Sequence, residues 1–287
     1  MSLGLRYKDD SHIFDERGLD GTPYLQFPLL ERTGIVDHGF STRLGGVSRG
    51  EFASLNLSFD RGDEPEAVRE NFRRIGASIG VKCEDMVLSQ QTHTTNIRLI
   101  KEEDRGKGVV RERDYTDVDG MITDVPGICL VTSFADCVPL YFVDPVKKVI
   151  GLSHSGWRGT VGKIGKKTVE MMSEHFGCDP GDILAAVGPS VCVDCYEVSE
   201  DVIEKFQENF EEKFWKELFY RKENGKYQLD LWKANELIFR EAGILPEHMA
   251  VTNVCTHCNS EILYSHRAAG NRRGNLCAFL ALRQGGK

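Results

Sequence analysis

Three short segments of this 287-residue chain each carry a side chain that can bind a metal ion at the end of a predicted strand. They are Gln91-Thr92-His93, Ala135-Asp136-Cys137 and Ser153-His154-Ser155-Gly156. Zinc binds imidazole and thiolate groups together, and a catalytic zinc ion keeps three protein ligands and one open position. His93, Cys137 and His154 would supply such a set, so the three segments predict a catalytic metal site.

Ordinary structural roles remain open for each of these residues taken alone. A histidine at a strand end commonly forms a hydrogen bond in a turn, and a single cysteine commonly packs as a small apolar side chain. Asp136 favours a functional role for its segment, because burial of a charged group inside an apolar run costs free energy unless the group is paired or functional. A cysteine hydrolase, with Cys137 as nucleophile and His154 as base, is an alternative that needs no metal.

The elements that must position these side chains alternate between strands and helices. Short apolar runs predict strands at 120–124, 128–134, 140–144, 149–154, 183–188, 251–255 and 263–265, and two more within 86–100. Apolar residues at helical spacing predict helices at 63–79, 163–176, 199–220 and 230–242. The order does not repeat strictly as strand, helix, strand, so we expect an α/β fold with mixed sheets. No linker divides the chain, and residues 1–287 are expected to form a single domain.

Composition narrows the range of partners. The chain has 36 Lys+Arg and 44 Asp+Glu, a net charge of −8, which predicts no general attraction to nucleic acid or to anionic membranes. It has neither an apolar run long enough to span a membrane nor the apolar core of a signal peptide. Nine cysteines in such a chain favour reduced thiols. We therefore expect a cytoplasmic protein that acts on small molecules, and the sequence leaves open whether it is a monomer or a homodimer.

Several motifs occur in a fixed order along the chain. They are His38-Gly-Phe-Ser-Thr-Arg43-Leu-Gly-Gly, Gln91-Thr-His93, Ala135-Asp-Cys137-Val-Pro-Leu, His154-Ser-Gly-Trp-Arg-Gly, Gly188-Pro-Ser with Cys195-Tyr-Glu-Val, and Cys255-Thr with Ser265-His-Arg267. In these motifs the chain resembles the laccase-domain family. Members of that family are described as purine nucleoside phosphorylases, and an older description was multicopper polyphenol oxidase.

The resemblance implies a fold, a cofactor and an activity. It implies a single four-layer α/β/β/α domain and a Zn²⁺ ion held by His93, Cys137 and His154. It also implies phosphorolysis of adenosine, inosine, guanosine and S-methyl-5′-thioadenosine, and deamination of adenosine. Asn271-Arg-Arg-Gly-Asn275 departs from the family pattern, in which glycine is expected before the arginine.

Binding of a nucleoside and phosphate would require donors and positive charge near these ligands. Arg43 and Arg158 are the predicted phosphate ligands, because each lies beside glycines that let the backbone approach. Gln91 and Trp157 are predicted to contact the substrate, the latter by stacking on a purine or else by packing in the core. Asp136 is predicted to act as a base or to orient a ligand.

Copper and the remaining cysteines raise two alternatives. Cu²⁺ would make the chain a laccase-like polyphenol oxidase, although a multicopper site requires many histidines and the chain has eight in all. Two further cysteine pairs are Cys192-Val-Asp-Cys195 and Cys255-Thr-His-Cys258. They could form a structural zinc site, but their separation is longer than usual, which favours roles in turns or packing.

Overall fold

Two six-stranded sheets dominate the computed structural model, which describes residues 2–284. Strands are numbered along the chain. The first sheet has the spatial order β1 (Asp15–Arg17), β2 (Tyr24–Gln26), β3 (Val36–Ser41), β15 (Leu276–Leu282), β7 (Cys129–Phe134) and β4 (Met86–Leu88). The second has the order β14 (Met249–Val251), β10 (Leu184–Val187), β8 (Val138–Asp144), β9 (Val149–Ser155), β6 (Gly120–Thr123) and β5 (Ile97–Leu99).

A third, small sheet and eight helices complete the described structure. The small sheet has the order β11 (Glu197–Val198), β13 (Tyr227–Leu229) and β12 (Phe219–Arg221). The helices are α1 (Pro28–Glu31), α2 (Pro65–Ile79), α3 (Trp157–Val161), α4 (Ile164–Phe176), α5 (Glu200–Asn209), α6 (Trp215–Leu218), α7 (Leu231–Glu241) and α8 (His266–Ala269). None of the helices between residues 2 and 284 has both the length and the apolar character that a membrane span requires.

Strand periodicity explains why the two large sheets and the helices form four layers. Side chains alternate between the two faces of a strand. In β8, Tyr141 and Val143 pack between the sheets, whereas Leu140 and Phe142 pack against α4 and α7. On the far side, α2 covers the outer face of the first sheet through an apolar face that includes Phe72. The predicted α/β/β/α order with mixed sheets is confirmed.

Both parallel and antiparallel pairs occur in each large sheet. The central pairs β7–β15 and β8–β9 are antiparallel, with Phe134 opposite Leu276 and Val138 opposite Ser155. The pairs β4–β7, β5–β6 and β10–β14 are parallel. The chain passes from the first sheet to the second in the short turn between β7 and β8. This turn therefore lies where loops from both sheets can meet.

Several predicted elements are displaced in the structure. Residues 263–265 form no strand; they lead into α8, where the Ser265 side chain accepts a hydrogen bond from the Ala268 N–H at 3.2 Å. The helix predicted over 199–220 is interrupted: it ends at Asn209, where Phe210 adopts an extended backbone conformation, and α6 resumes at Trp215 before β12 begins at Phe219. The strand predicted at 251–255 lies earlier, at Met249–Val251. The single domain predicted for 1–287 includes Met1 and residues 285–287, which lie outside the described residues, and it stays a prediction.

Candidate metal centre

The three predicted ligands come together from three separate segments. His93 lies in the loop after β4, Cys137 in the turn between β7 and β8, and His154 within β9. One ligand atom from each residue lies within 4.8 Å of those of the other two. The imidazoles of His93 and His154 are almost perpendicular, with centroids 4.9 Å apart. We call these three residues the His-Cys-His centre.

The backbone around this centre adopts left-handed conformations that residues other than glycine rarely take. His93 has φ of 66° and Asp136 has φ of 86°. Left-handed conformations at non-glycine residues persist where the surrounding structure holds them, and they are common at functional sites. Gly156 serves the same centre by its lack of a side chain. A Cβ atom there would lie 3.1 Å from the His93 ring and 3.2 Å from the Cys137 sulfur, so a larger residue would crowd the ligands.

Asp119 fixes the orientation of two of the ligands. This buried carboxylate accepts a hydrogen bond from His154 Nδ1 at 2.8 Å, which leaves Nε2 as the nitrogen available to a metal. It also accepts hydrogen bonds from the backbone N–H groups of Thr92, His93 and Thr94, at 2.9–3.1 Å. Carboxylates that orient histidine ligands in this way are a regular feature of metal sites. Asp119 was not among the residues predicted from the sequence.

Charges within the centre favour the metal-binding form of the cysteine. Burial raises the pKa of Cys137, but the neighbouring His154 and His93 oppose burial and leave that pKa below its ordinary value. Burial lowers the pKa of His154, whereas Cys137 and Asp119 raise it, and the net change is upward. The thiolate, rather than the thiol, is the form that ligates metals and acts as a nucleophile. The residues present therefore fit a divalent metal with mixed nitrogen and sulfur ligands.

The carboxylate of Asp136 is bonded to residues outside the His-Cys-His centre. Its two carboxylate oxygens accept hydrogen bonds from the Thr256 hydroxyl and from the Arg267 backbone N–H, both at 2.6 Å. The side chain is 6% exposed. These two hydrogen bonds fix the turn that carries Cys137. The catalytic role of Asp136 stays a prediction.

A cleft of about 270 Å³ opens on the centre. His93, Cys137 and His154 line it together with three arginines that sequence reasoning missed, namely Arg61, Arg113 and Arg273. The buried Nε of Arg273 has no hydrogen-bond partner among residues 2–284. Burial and the nearby charge of Arg61 lower the pKa of Arg273 to about 10. The cleft thus combines three side chains that can bind a metal with three arginines and one carboxylate, Asp60, and this excess of positive charge suits an anionic substrate.

The four predicted substrate-binding residues are placed differently. Gln91 lines the cleft, and its amide joins the loop after β4 to β7 by accepting from the Ser133 N–H at 2.8 Å and donating to the Ser133 carbonyl at 2.7 Å. Arg43 donates to the carbonyls of Ala53 and Ser260 and lies over the Tyr264 ring at 4.6 Å.

Arg158 is exposed and lies over the Trp157 ring at 4.3 Å. Trp157 in turn packs against the core beneath α4 and α7. Among the described residues, Arg43, Trp157 and Arg158 do not line the cleft. Their substrate-binding roles stay predictions.

Comparison with known proteins gives consistent relatives. The family model described as Multi-copper polyphenol oxidoreductase laccase matches residues 37–283. Purine nucleoside phosphorylase YlmD of Bacillus subtilis is 34% identical over 251 residues, which are 86% of this chain and 88% of that protein. Adenosine deaminase RL5, from an unknown prokaryotic organism, is 33% identical over 239 residues, 82% of this chain and 90% of that protein.

A solved structure extends this likeness to the fold. The crystal structure of YlmD from Geobacillus stearothermophilus superposes with a TM-score of 0.87 at 33% identity, covering 96% of this chain and 100% of that one. The matching segment of the family model includes every residue of the His-Cys-His centre. The resemblance seen in the sequence motifs is therefore confirmed, and the chain belongs to the multi-copper polyphenol oxidoreductase laccase family.

Proposed function

We propose that this chain is a zinc-dependent purine nucleoside phosphorylase that also deaminates adenosine. The observation that carries the proposal is the position of three metal ligands and three arginines in one cleft. Phosphorolysis requires a phosphate ion beside the ribose carbon C1′ of a nucleoside. Deamination requires only water as co-substrate. The names of the Bacillus subtilis and RL5 relatives, one a phosphorylase and the other a deaminase, support both reactions.

Zinc fits the ligands that the chain offers. His93, Cys137 and His154 would hold it and leave a fourth position open to the cleft, as in catalytic zinc sites. Bound there, zinc would lower the pKa of a water molecule toward ~7 and so supply hydroxide at neutral pH for attack on C6 of adenine. Asp119 keeps His154 in the tautomer that offers Nε2, and it holds the loop of His93 in place.

The arginines supply the site for phosphate. Arginine donates to phosphate oxygens through a planar fork of N–H groups, often two at a time. The unpartnered Nε of Arg273 is such a donor, and Arg61 adds charge beside it. All three arginines are anchored to backbone carbonyls, Arg113 to Ser89 at 2.7 Å, Arg61 to Asn271 at 2.6 Å and Arg273 to Gly274 at 3.1 Å, but Arg273 keeps its Nε free of a partner among residues 2–284. We therefore assign phosphate binding first to Arg273 and Arg61.

The proposed substrates are adenosine, inosine, guanosine and S-methyl-5′-thioadenosine. Phosphate and the nucleoside must lie side by side, with phosphate against the arginines and the purine toward the metal ligands. The volume of about 270 Å³ is slightly below the usual range of small-molecule sites, roughly 300–1,000 Å³. A small cleft of this kind favours a nucleoside over a polynucleotide.

Two other functions have a specific observation behind them. Cys137, His154 and Asp119 have the order of nucleophile, base and orienting carboxylate that a cysteine hydrolase uses. Two imidazoles and one thiolate are also the ligand set of blue-copper sites. A hydrolase would keep its activity without metal. A copper oxidase would consume oxygen with a phenol and would not respond to phosphate.

The test is product analysis with zinc-loaded protein. Adenosine alone should give inosine, and addition of phosphate should also give free adenine and ribose 1-phosphate. Chelation of the metal should abolish both reactions and zinc should restore them. Turnover of none of the four nucleosides by zinc-loaded protein would contradict the proposal. Full activity of metal-free protein would favour the cysteine hydrolase.

A further inference from the structure

Four cysteines outside the His-Cys-His centre converge in a second group. Their sulfur atoms all lie within 4.8 Å of one another. We call this group the four-cysteine cluster, and its members are Cys192, Cys195, Cys255 and Cys258. The pairs are far apart in sequence but close in space.

Parallel pairing of two strands explains the convergence. Strands β10 and β14 lie side by side and run in the same direction, with Val187 opposite Val251. Each strand continues into a loop that carries one CxxC pair, and a bridge between Ser190 and Cys255 keeps the two loops together. The long separation in sequence is the crossover between the strands, which contains α5, α6 and α7. The separation therefore does not argue against a shared metal site.

The distances within the cluster match a metal site better than a disulfide. Zinc with four thiolates at ~2.3 Å places neighbouring sulfurs about 3.8 Å apart. The sulfurs of Cys195 and Cys258 are 3.6 Å apart. A disulfide would require about 2.05 Å, and all nine cysteines are free.

Two backbone donors point into the cluster. The N–H groups of Cys192 and Cys258 both point to the sulfur of Cys255, at 3.3 and 3.5 Å. Hydrogen bonds to the charged form of a group stabilise that form. Lys8, whose ammonium group is 2.8 Å from Asp194, lines the same cavity as Cys195 and Cys258 and places positive charge beside the cluster.

We propose that the four-cysteine cluster binds a second zinc ion with a structural role. Four protein ligands would fill the tetrahedral positions and leave none for a substrate, as in structural zinc sites. Cys192 and Cys255 are only 2% and 0% exposed, which agrees with a closed site. The ion would fasten the loop after β10 to the loop after β14.

The second ion would also support the turn of the first site. Thr256 follows Cys255 directly and donates its hydroxyl to Asp136, the neighbour of Cys137. The N–H of Val191, next to Cys192, donates to the Asp136 carbonyl at 3.1 Å. The cluster thus holds two of the contacts that fix the turn between β7 and β8.

Zinc content of the purified full-length chain tests the proposal. Wild-type protein prepared under reducing conditions with zinc should contain about two zinc ions per chain, and the variants His93→Ala and Cys255→Ser about one each. Cys83→Ser is the matched control, because Cys83 is partly buried and belongs to neither group; it should keep both ions. A wild-type content of one ion that is lost in His93→Ala would overturn the proposal.

A second measurement remains informative if Cys255→Ser fails to fold. His93→Ala leaves all four cysteines intact, so this variant loaded with Co²⁺ should show the strong near-ultraviolet absorption of cobalt bound to several thiolates. Absence of that absorption in folded His93→Ala would contradict the site. Thiols should also be counted after unfolding without reductant. A count four short of nine would mean two disulfides instead, and would equally overturn the proposal.

Discussion

The His-Cys-His centre and the four-cysteine cluster differ in their ligand atoms and in their access to solvent. The first offers two nitrogens and one sulfur, and His93 is exposed beside an open cleft. The second offers four sulfurs, two of them from fully buried or nearly buried residues. Three ligands leave a position for a substrate or water, whereas four close the coordination sphere. The His-Cys-His centre is therefore suited to catalysis, and the four-cysteine cluster is suited to stabilising the fold.

The two groups also differ in what positions them. The His-Cys-His centre depends on side-chain orientation, since Asp119 bonds to His154 and to the backbone of His93. The four-cysteine cluster depends on backbone pairing, since its loops extend from the parallel strands β10 and β14. Asp136 joins the two regions through its bond to Thr256. Substitutions can therefore affect one group while sparing the other.

Cys137→Ala should have the largest effect on activity. Removal of a ligand from the open site should lower both phosphorolysis and deamination by about 10³-fold, the scale of a lost electrostatic contribution to catalysis. The change in melting temperature should be smaller than that of Cys255→Ser. Initial rates with adenosine, with and without phosphate, measure the first effect. If either reaction continued at near wild-type rates, that reaction would not depend on the His-Cys-His centre.

Cys255→Ser should have the largest effect on stability. Loss of a structural zinc site removes binding free energy that stabilises the fold, and at about 2–4 °C per kcal/mol in a chain of this size the melting temperature should fall by roughly 10 °C. Calorimetry with and without a chelator measures the difference. Cys83→Ser should stay within about 0.5 kcal/mol of wild type, as substitutions away from such features usually do. Equal melting temperatures for the two variants would mean that the cluster holds no structural metal.

Asp119→Asn should weaken metal binding at the open site alone. Loss of the carboxylate that orients His154 should lower zinc affinity there about 10–100-fold. Asp117→Asn is the matched control, because Asp117 accepts bonds from Thr94 but has none with His154. Competition with a zinc chelator measures the affinity, and the four-cysteine cluster should keep its ion in both variants. Similar losses of zinc affinity in both variants would mean that Asp119 has no specific role in orienting His154.

Arg273→Met should have a smaller and more selective effect. With one phosphate donor removed, the KM for phosphate should rise about tenfold, while deamination without phosphate and zinc content stay near those of wild type. Arg158→Ala is the control, since Arg158 is exposed and lies outside the cleft. If Arg158→Ala raised the KM for phosphate and Arg273→Met left it unchanged, Arg158 would be the phosphate ligand, as the sequence predicts, and Arg273 would not.

The sequence predicted that His93, Cys137 and His154 belong to one site, because each stands beside a recognisable strand. Asp119 could not be assigned in that way, since its role arises from the pairing of β6 with β9, in which Gly120 lies opposite Ser153. Knowledge of that register would have placed Asp119 next to His154. The arginines of the cleft occur in charged stretches that are typical of solvated loops. Only the folded chain shows that Arg61 and Arg273 face the same cleft as Cys137.

Other parts of the fold escaped prediction for different reasons. Strand β15 is central in the first sheet, but Leu276–Leu282 is a continuous apolar run whose periodicity does not distinguish a strand from a buried helix. The proximity of the two cysteine pairs also escaped prediction, because sequence distance is misleading when a crossover joins parallel strands. In both cases the deciding fact is a long-range pairing. Local pattern carries no information about such a pairing.

Diffraction at the zinc absorption edge, from crystals grown with zinc and inorganic phosphate, tests the contrast between the two regions most directly. We predict one anomalous peak among His93, Cys137 and His154, with phosphate bound to Arg273 in the same cleft. We also predict a second peak at the centre of the four-cysteine cluster. Zinc absent from the first position, or phosphate bound away from the cleft, would contradict the proposed function. Two disulfides in place of the second peak would contradict the division into an open and a closed metal site.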